Sequence, residues 1–172
     1  MDLSHVLSGP SLNHNVDSDW RDFETEFNVA LPSSYKDFIS AYGPCVINDT
    51  LTLFHPRAPE ADDSLSLRWK VSVVAAAYGE MDPSLVPYRI FPAPGGIFPV
   101  GHTTWGHEVF LRPRAHLSID GWAVLVDWDG TWLDYQICFR DFLERALTGD
   151  IHFFHESVLD EPSSYELVGR VL

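Results

Sequence analysis

The chain has 172 residues, of which 45% are hydrophobic and 21% charged, proportions typical of one globular domain with a substantial core. Eleven Lys and Arg against 25 Asp and Glu give a formal net charge of −14. This balance argues against sequence-independent binding to nucleic acid or to an anionic membrane, because both need a cationic surface. It favours a basic macromolecular partner, although an acidic surface that only maintains solubility explains it equally well.

The sequence features that report on cellular compartment favour the cytoplasm. Residues 1–10 lack the basic flank of a signal peptide, and the longest apolar stretch, residues 71–78, is well short of a membrane span. Cys45 and Cys138 are far apart in the sequence and form no CxxC motif. Two buried thiols are therefore expected, with a disulfide between them as the alternative.

Two helices are predicted after a polar arm at residues 1–16. Trp20, Phe23 and Phe27 recur at three- and four-residue intervals, which predicts an amphipathic helix from residue 17 to a stop at Asn28. The second helix begins with Pro32 in its first turn or with Ser33 as its cap, and Gly43 ends it. Its apolar stripe contains Tyr35, Phe38, Ile39 and Tyr42.

In the middle of the chain, residues 46–47 and 51–54 read as strands around a turn. A loop at 55–63 precedes a predicted helix at 65–78, which Gly79 ends. We expect one face of this helix to be apolar, formed by Leu65, Trp69, Val73 or Val74, and Ala77. A proline-rich surface connection follows at residues 80–96.

The second half of the chain is rich in predicted strands. These strands cover residues 97–101, 108–111, 122–128 and 131–133, with a turn at His102–Gly106 and a hairpin at Asp129-Gly130. A helix at 138–147 closes the pattern, with Phe139, Phe142, Leu143 and Leu147 facing inward, and an aromatic-histidine cluster at 151–155 follows. The predicted fold is α+β, with one domain at 17–150, a mostly antiparallel sheet flanked by N-terminal and C-terminal helices, and an extension at 151–172 packed on or beside it.

No residue pattern in the chain predicts a metal site or catalysis. The eight histidines include His102, His107 and His152, but without acids or cysteines at ligand spacing, ordinary surface or hydrogen-bonded histidines are expected. Residues 127–130 resemble the start of a calcium loop but lack its later oxygen donors, so a hairpin turn is preferred. Neither a nucleophile elbow nor a phosphate-binding glycine loop is present. We therefore expect no metal, no cofactor and no enzymatic activity, with an uncharacterised hydrolase or metal-dependent enzyme as the least favoured alternative.

Acidic residues cluster in three places that could steer a cationic protein. They lie on the outer face of the first helix, in the loop before the third helix and around the hairpin, and they are Asp17, Asp19, Asp22, Glu24, Glu26, Glu60, Asp62, Asp63, Asp127, Asp129 and Asp134.

The segment from Trp20 to Gly43 resembles the N-terminal signature of the SUKH superfamily, the Smi/Knr-like domains. In that family, a helix with a Glu leads to a Gly-hydrophobic-x-Leu-Pro segment, then to Tyr and Phe on a second helix that ends in Gly. The matching residues are Glu24, Leu31, Pro32, Tyr35, Phe38 and Gly43, with Asn28 in place of the usual Gly. Residues 51–54, 98–101, 106–111 and 139–143 are similar to the family's strands and closing helix, so that the resemblance covers residues 17–150.

The resemblance implies a binding domain that catalyses no reaction. Many bacterial members look like immunity proteins that bind and block a cognate polymorphic toxin, often a nuclease, whose basic cleft an acidic domain can occupy. The alternative is a SUKH scaffold or regulatory module that binds another cellular protein or peptide without a toxin. The chain is expected to be a monomer, and the candidate partner-binding residues are Asp62, Asp63, Trp105, Asp127, Asp129 and Trp132.

Overall fold

The computed structural model describes residues 7–8, 17–57, 63–114, 120–154 and 163–167. The first two helices, α1 at Asp17–Phe27 and α2 at Ser33–Tyr42, follow the prediction closely. Asn28 adopts φ 49° directly after α1, as its tolerance of the left-handed region predicts. Neither predicted start of α2 is correct, because Pro32 occupies the N-cap position in an extended conformation and Ser33 is the first helical residue.

The described residues contain an eight-stranded sheet in the order β1-β8-β2-β3-β4-β5-β6-β7. Strands β2 to β7 form an antiparallel meander, β8 pairs antiparallel with β2, and β1 pairs parallel with β8. The fold is therefore α+β, as predicted. The strands are β1 Leu7–Ser8, β2 Cys45–Ile47, β3 Leu51–Leu53, β4 Phe98–Thr103, β5 Glu108–Pro113, β6 Trp122–Trp128, β7 Thr131–Asp134 and β8 Ser163–Leu167.

The remaining helices are α3 at Leu67–Gly79 and α4 at Phe139–Leu147. Four side chains of α4 were predicted to face inward, and all four are buried: Phe139, Phe142, Leu143 and Leu147. The face predicted for α3 is only partly correct: Val74, one of its two alternatives, is buried together with Leu67, Lys70 and Val71, whereas Trp69 is 38% and Val73 42% exposed. Hydrophobicity could not select the face, because the helix carries apolar residues on both sides.

The sheet separates a large core from a small one. On one face, α1, α2 and α4 pack on strand residues that include Val109 and Val126. On the other face, Phe110 and Leu125 pack with Val74 of α3. Phe153 and Phe154 of the predicted extension belong to the large core, and β1 and β8 place residues 7–8 and 163–167 in the sheet.

Both cysteines are free thiols, Cys45 fully buried and Cys138 partly so. Burial raises the pKa of Cys45 to about 12, so this thiol stays protonated and behaves as a small core residue. Within the described part of the chain, no helix has both the length and the hydropathy needed to cross a bilayer.

Candidate partner-binding site

Three tight turns lie together at one end of the sheet, and we call this surface the turn end. They are the β2–β3 turn at 48–50, the β4–β5 turn at 104–107 and the β6–β7 turn at 129–130. The register brings them together, because Leu51 pairs with Thr103 and Glu108 with Asp127. The backbone N–H of Thr104 donates to the carbonyl of Thr50 over 2.9 Å, which joins the first two turns directly.

The sequence of each turn explains its tightness. In the three-residue β2–β3 turn, Asn48 and Asp49 both have φ 50°. Asp129 with φ 50° precedes Gly130 with φ 83°, which is the backbone that a two-residue hairpin loop requires. The predicted Asp129-Gly130 hairpin is thus confirmed. His102, in contrast, lies inside β4 and not in the predicted turn. Strand β4 extends to Thr103, because the backbone N–H of Thr103 donates to the carbonyl of His107 over 2.9 Å.

A stack of rings supports the turn end from below. The His107 imidazole is buried and stacks on Trp128 with 3.9 Å between ring centroids, and the Trp105 ring lies 6.1 Å from His107. Trp128 in turn packs edge-on against Phe153 of the large core. The indole of Trp105 is therefore held at the surface by side chains that are anchored in the fold.

The exposed groups of the turn end are one large ring and two carboxylates. Trp105 is 50% exposed, and the Asp129 side chain is 78% exposed, with Oδ2 3.6 Å from Nε2 of His107. Asp49 is exposed on the neighbouring turn. A positioned Trp next to acidic groups can enter a pocket of a partner while the carboxylates meet its Lys or Arg side chains.

The structure brings together two of the predicted partner-binding residues, Trp105 and Asp129, at the turn end. Asp62 lies outside the described residues. Asp63 is exposed and begins the short 3₁₀ turn Asp63–Leu65 before α3. Trp132 pairs with Asp127 across β6 and β7 on the sheet face that α3 covers, and its indole N–H donates to the Leu85 carbonyl over 3.1 Å.

Asp127 is not the exposed hairpin acid that the sequence suggested, because it is only 9% exposed. Its Oδ2 accepts a hydrogen bond from the Tyr78 hydroxyl over 2.6 Å, and its Oδ1 accepts one from the Gly130 N–H over 2.8 Å. Residue 127 points toward α3, whereas Trp128 points toward the large core, since successive strand residues alternate between faces. Asp127 therefore fixes the hairpin and α3, and Asp129 alone of the pair faces solvent.

A row of polar side chains crosses the sheet beneath α3. His102, Glu108 and Asp127 are direct neighbours on β4, β5 and β6. The buried Lys70 forms an ion pair with Glu108, and its Nζ lies 3.3 Å from Nδ1 of His102. The same Nζ lies 5.2 Å from the centroid of the Phe54 ring. Lys70 is thus surrounded by an anion, a lone-pair acceptor and a π face, the contacts that a buried ammonium requires.

Burial shifts the ionisation of this row. Burial lowers the pKa of Lys70, an effect that Glu108 opposes, and burial raises the pKa of Glu108, which Lys70 opposes. The pKa of His102 falls to about 4, first through burial and then through the charge of Lys70. His102 is therefore neutral at pH 7 and can accept a hydrogen bond from Lys70. The polar side chains of this row therefore bind one another and residues of α3, and these contacts join α3 to the sheet.

Several of the acids that were expected to form acidic surfaces are paired with cations. On α1, Asp19 is buried and pairs with Arg57, Glu24 pairs with Lys36 over 2.9 Å, and Glu26 pairs with Arg68 over 2.8 Å. Asp134 after the hairpin pairs with both Arg112 and Arg114. These pairs make the helix face a weaker candidate for steering a partner than the turn end.

Sequence reasoning missed His107, Asp49 and Lys70 as members of these two clusters. A signal existed for Lys70, because it lies three residues after Leu67 and four before Val74 on one helical stripe. For Asp49 and His107 the signal was weaker, since only the strand register places their turns together. Within the described residues, no group of three or more His, Cys, Asp or Glu is placed to hold a metal ion.

Comparisons of this chain with protein-family models, with curated proteins and with solved structures gave no match.

Proposed function

We propose that this protein is a SUKH-type domain that works by binding another protein, and that its partner is a cognate toxin with a basic surface, which it neutralises in the cytoplasm. The observation that carries the proposal is the turn end, where the half-exposed Trp105 and the exposed carboxylate of Asp129 both neighbour the buried His107. A Trp that packs beside the buried His107 ring loses less conformational freedom on binding than an unsupported side chain, which is a usual property of an interface hot spot.

The net charge supports the choice of a basic partner. At −14, the field of the whole chain accelerates encounter with a cationic protein, and a nuclease needs a cationic cleft for its own substrate. Asp129 and Asp49 at the turn end lie where such a cleft can meet them, whereas Asp19, Glu24 and Glu26 on α1 are already paired.

The residues of the SUKH resemblance have structural roles in the α1–α2 unit and in its attachment to the sheet. The Glu24 carboxylate accepts a hydrogen bond from the Leu31 N–H over 2.8 Å, so it fixes the loop before α2. The Tyr35 hydroxyl donates to the Phe54 carbonyl over 2.7 Å, and Gly43 ends α2 at φ 69°. Because these matching residues each have a structural role, they support the proposed SUKH assignment.

The decisive experiment is co-expression with the product of an adjacent gene that encodes a multidomain toxin. We expect the two proteins to copurify in a 1:1 complex and the toxin's effect on cell growth to disappear. The Trp105→Ala variant is expected to weaken the complex by about 2 kcal/mol or more, because it removes a half-exposed anchor. Isothermal titration with the purified toxin domain measures this loss.

The matched control is Leu85→Ala, since Leu85 is 62% exposed and lies in the proline-rich connection. It removes a similar exposed apolar group and is expected to leave the affinity unchanged. Equal affinities for Trp105→Ala and for the unmodified chain would exclude the turn end as the binding surface. A stable complex with a protein that is not a toxin would favour the scaffold function.

A further inference from the structure

A groove with a volume of about 410 Å³ lies between the last turns of α3 and the proline-rich connection at residues 80–96, and we call it the α3 groove. Its volume is within the range of roughly 300–1,000 Å³ that is usual for ligand-binding pockets. None of the described residues that line it is charged, and its larger side chains belong to Tyr78, Pro83, Tyr88, Phe91 and Pro92. Rings and prolines without a charged group suit an apolar ligand better than a small polar one.

The rings of the α3 groove are held in place by other aromatic side chains of the fold. Trp132 of β7 packs against both Tyr78 and Tyr88, with ring centroids 6.0 and 5.1 Å apart. Phe91 packs against Phe98 of β4 at 5.0 Å. Because these walls are already ordered in the folded chain, a ligand that enters the groove does not have to order them.

Gly79, the last residue of α3, leaves the groove open at the helix. Beyond its chain neighbours and the backbone of its own helix, a Cβ added to Gly79 would meet no heavy atom within 4 Å. Its φ also lies outside the left-handed region, so neither packing nor backbone conformation requires glycine here. Glycine is among the least favourable residues inside a helix. The missing side chain instead exposes the helix backbone to the groove, which is the use of glycine where another molecule approaches closely.

Two acidic residues lie at the edge of the α3 groove. Glu80 and Asp82 flank Met81, which lines the groove, and all three side chains are exposed. Asp82 accepts a hydrogen bond from the Ser84 N–H over 2.8 Å, but within the described residues neither carboxylate pairs with a cation. Arg89, also exposed, lies on the other side of the groove. The edge at residues 80–82 is therefore complementary to a cationic group of a ligand.

We propose that the α3 groove binds a proline-rich segment of another protein in the polyproline II conformation, with a basic residue of that segment against Glu80 and Asp82. A polyproline II segment has no internal hydrogen bonds, is ordered before it binds, and packs its prolines on aromatic rings. Its carbonyl groups need donors. The Tyr78 hydroxyl already donates to Asp127, whereas the Tyr88 hydroxyl has no hydrogen-bond partner among the described residues and can donate to the segment.

This site is separate from the turn end, because none of its lining residues belongs to the three turns. The proposal therefore does not depend on the proposed toxin, and either one can fail without the other.

NMR titration of the isotopically labelled chain with a panel of synthetic Pro-x-x-Pro peptides, each ending in Arg-Arg, tests the proposal. We expect saturable shifts of the Trp132 indole signal and of amides in residues 75–93, while the Trp105 indole signal at the turn end stays in place. The control peptides carry glycine in place of every proline and keep both arginines. A panel that leaves the Trp132 signal unshifted would overturn the proposal, and so would control peptides that bind equally well, since charge alone would then explain binding.

Gly79→Leu tests whether the ligand occupies the groove. The added side chain enters open space and favours the helix, so the fold is retained, but it obstructs the ligand and is expected to weaken peptide binding about tenfold or more. Ala76→Leu adds the same side chain type at an exposed residue of α3 outside the groove and is expected to leave the affinity unchanged. An unchanged affinity for Gly79→Leu would exclude the groove as the binding site.

Charge exchange tests the position of the basic residue. Glu80→Lys is expected to weaken binding of the Arg-Arg peptides about threefold and to strengthen binding of the same peptides ending in Glu-Glu. Folding is not at risk, because a cation is favoured after the last residue of a helix. Asp22→Lys makes the same change in net charge on an exposed residue of α1 and is expected to have little effect on either set. Equal effects of Glu80→Lys and Asp22→Lys would overturn the placement of the basic residue at the groove edge.

Discussion

Tyr35 shows how one side chain links the N-terminal helices to the sheet. It is fully buried between Trp20 of α1 and Phe139 of α4, with edge-on ring contacts at 5.8 and 5.1 Å. Its hydroxyl satisfies the Phe54 carbonyl just after β3. Burial holds the pKa of Tyr35 well above its ordinary value, so this hydroxyl is protonated at neutral pH and donates its hydrogen bond.

Tyr35→Phe is therefore expected to lower the free energy of unfolding by about 1–2 kcal/mol, because the Phe54 carbonyl loses its donor inside the core. Urea denaturation followed by tryptophan fluorescence measures the change. Tyr88→Phe, on a ring that is only partly buried, is the matched control and is expected to stay within about 0.5 kcal/mol. Similar losses for both variants would show that the hydrogen bond of Tyr35 contributes nothing specific.

For individual residues, the sequence predicted the buried apolar side chains better than the buried polar ones. Trp20 and Tyr35 lie on the predicted apolar stripes of α1 and α2, and both are buried. Asp127 was expected outside and is also buried, because its place in the strand and not its charge decides which way it points. A buried Asp or Lys is stabilised by partners that lie far away in the sequence. The partner of Lys70, for example, is Glu108.

Among the helices and strands, α3 allows the effect of tertiary packing to be measured separately from that of helix propensity. Val73 and Val74 are adjacent residues of the same type on the same helix, yet Val74 is buried and Val73 is exposed. Their helix propensities are identical, so any difference between substitutions at the two positions reports tertiary contacts alone.

Val74→Ala is expected to lower the free energy of unfolding by about 2 kcal/mol, through lost apolar burial and the cavity left beside Phe110. Val73→Ala is expected to change it by less than about 0.5 kcal/mol. Urea denaturation followed by tryptophan fluorescence makes this comparison. A larger loss at Val73 would mean that the opposite face of α3 carries the packing.

The elements with local signals were predictable. The aromatic periodicity of α1, the stripe of α4 and the Asp129-Gly130 turn all depend on neighbouring residues, and all are confirmed. The face of α3 depends on the sheet beneath it, and the turn end depends on the register of strands far apart in the sequence. The long-range pairing of the sheet is not contained in any local pattern.

For the whole molecule, the polar row beneath α3 links stability to pH. The ordinary pKa of His102 is 6.5, and in the folded protein it falls to about 4. Between these values the unfolded chain binds a proton that the folded chain does not, so His102 makes stability fall as pH falls through this window. Glu108 acts in the opposite direction, because its pKa is raised in the folded state.

The His102→Gln variant isolates the histidine contribution, since Glu108 is common to both proteins. We expect the unfolding free energy of the unmodified chain to fall more steeply between pH 6.5 and pH 4 than that of the variant. Chemical denaturation at a series of pH values gives the two slopes. Parallel curves would mean that His102 is protonated equally easily in the folded and unfolded states.

The α+β pattern was predicted correctly from the order of the helices and strands, which the periodicity of apolar residues indicates. The SUKH relationship and the toxin remain proposals, because a binding surface is defined by its partner as much as by its own residues.

The pairing of β8 has a consequence for biosynthesis. Strand β8 lies between β1 and β2, so the outer edge of β2 acquires its partner only after residues 163–167 have been synthesised. Until then the nascent chain carries the helices and the meander with an open backbone edge, and Leu7–Ser8 has no strand to join. An unpaired edge invites association with other extended chains. Completion of the described sheet therefore waits for the synthesis of residues 163–167, and until then the open edge of β2 is available to other extended chains.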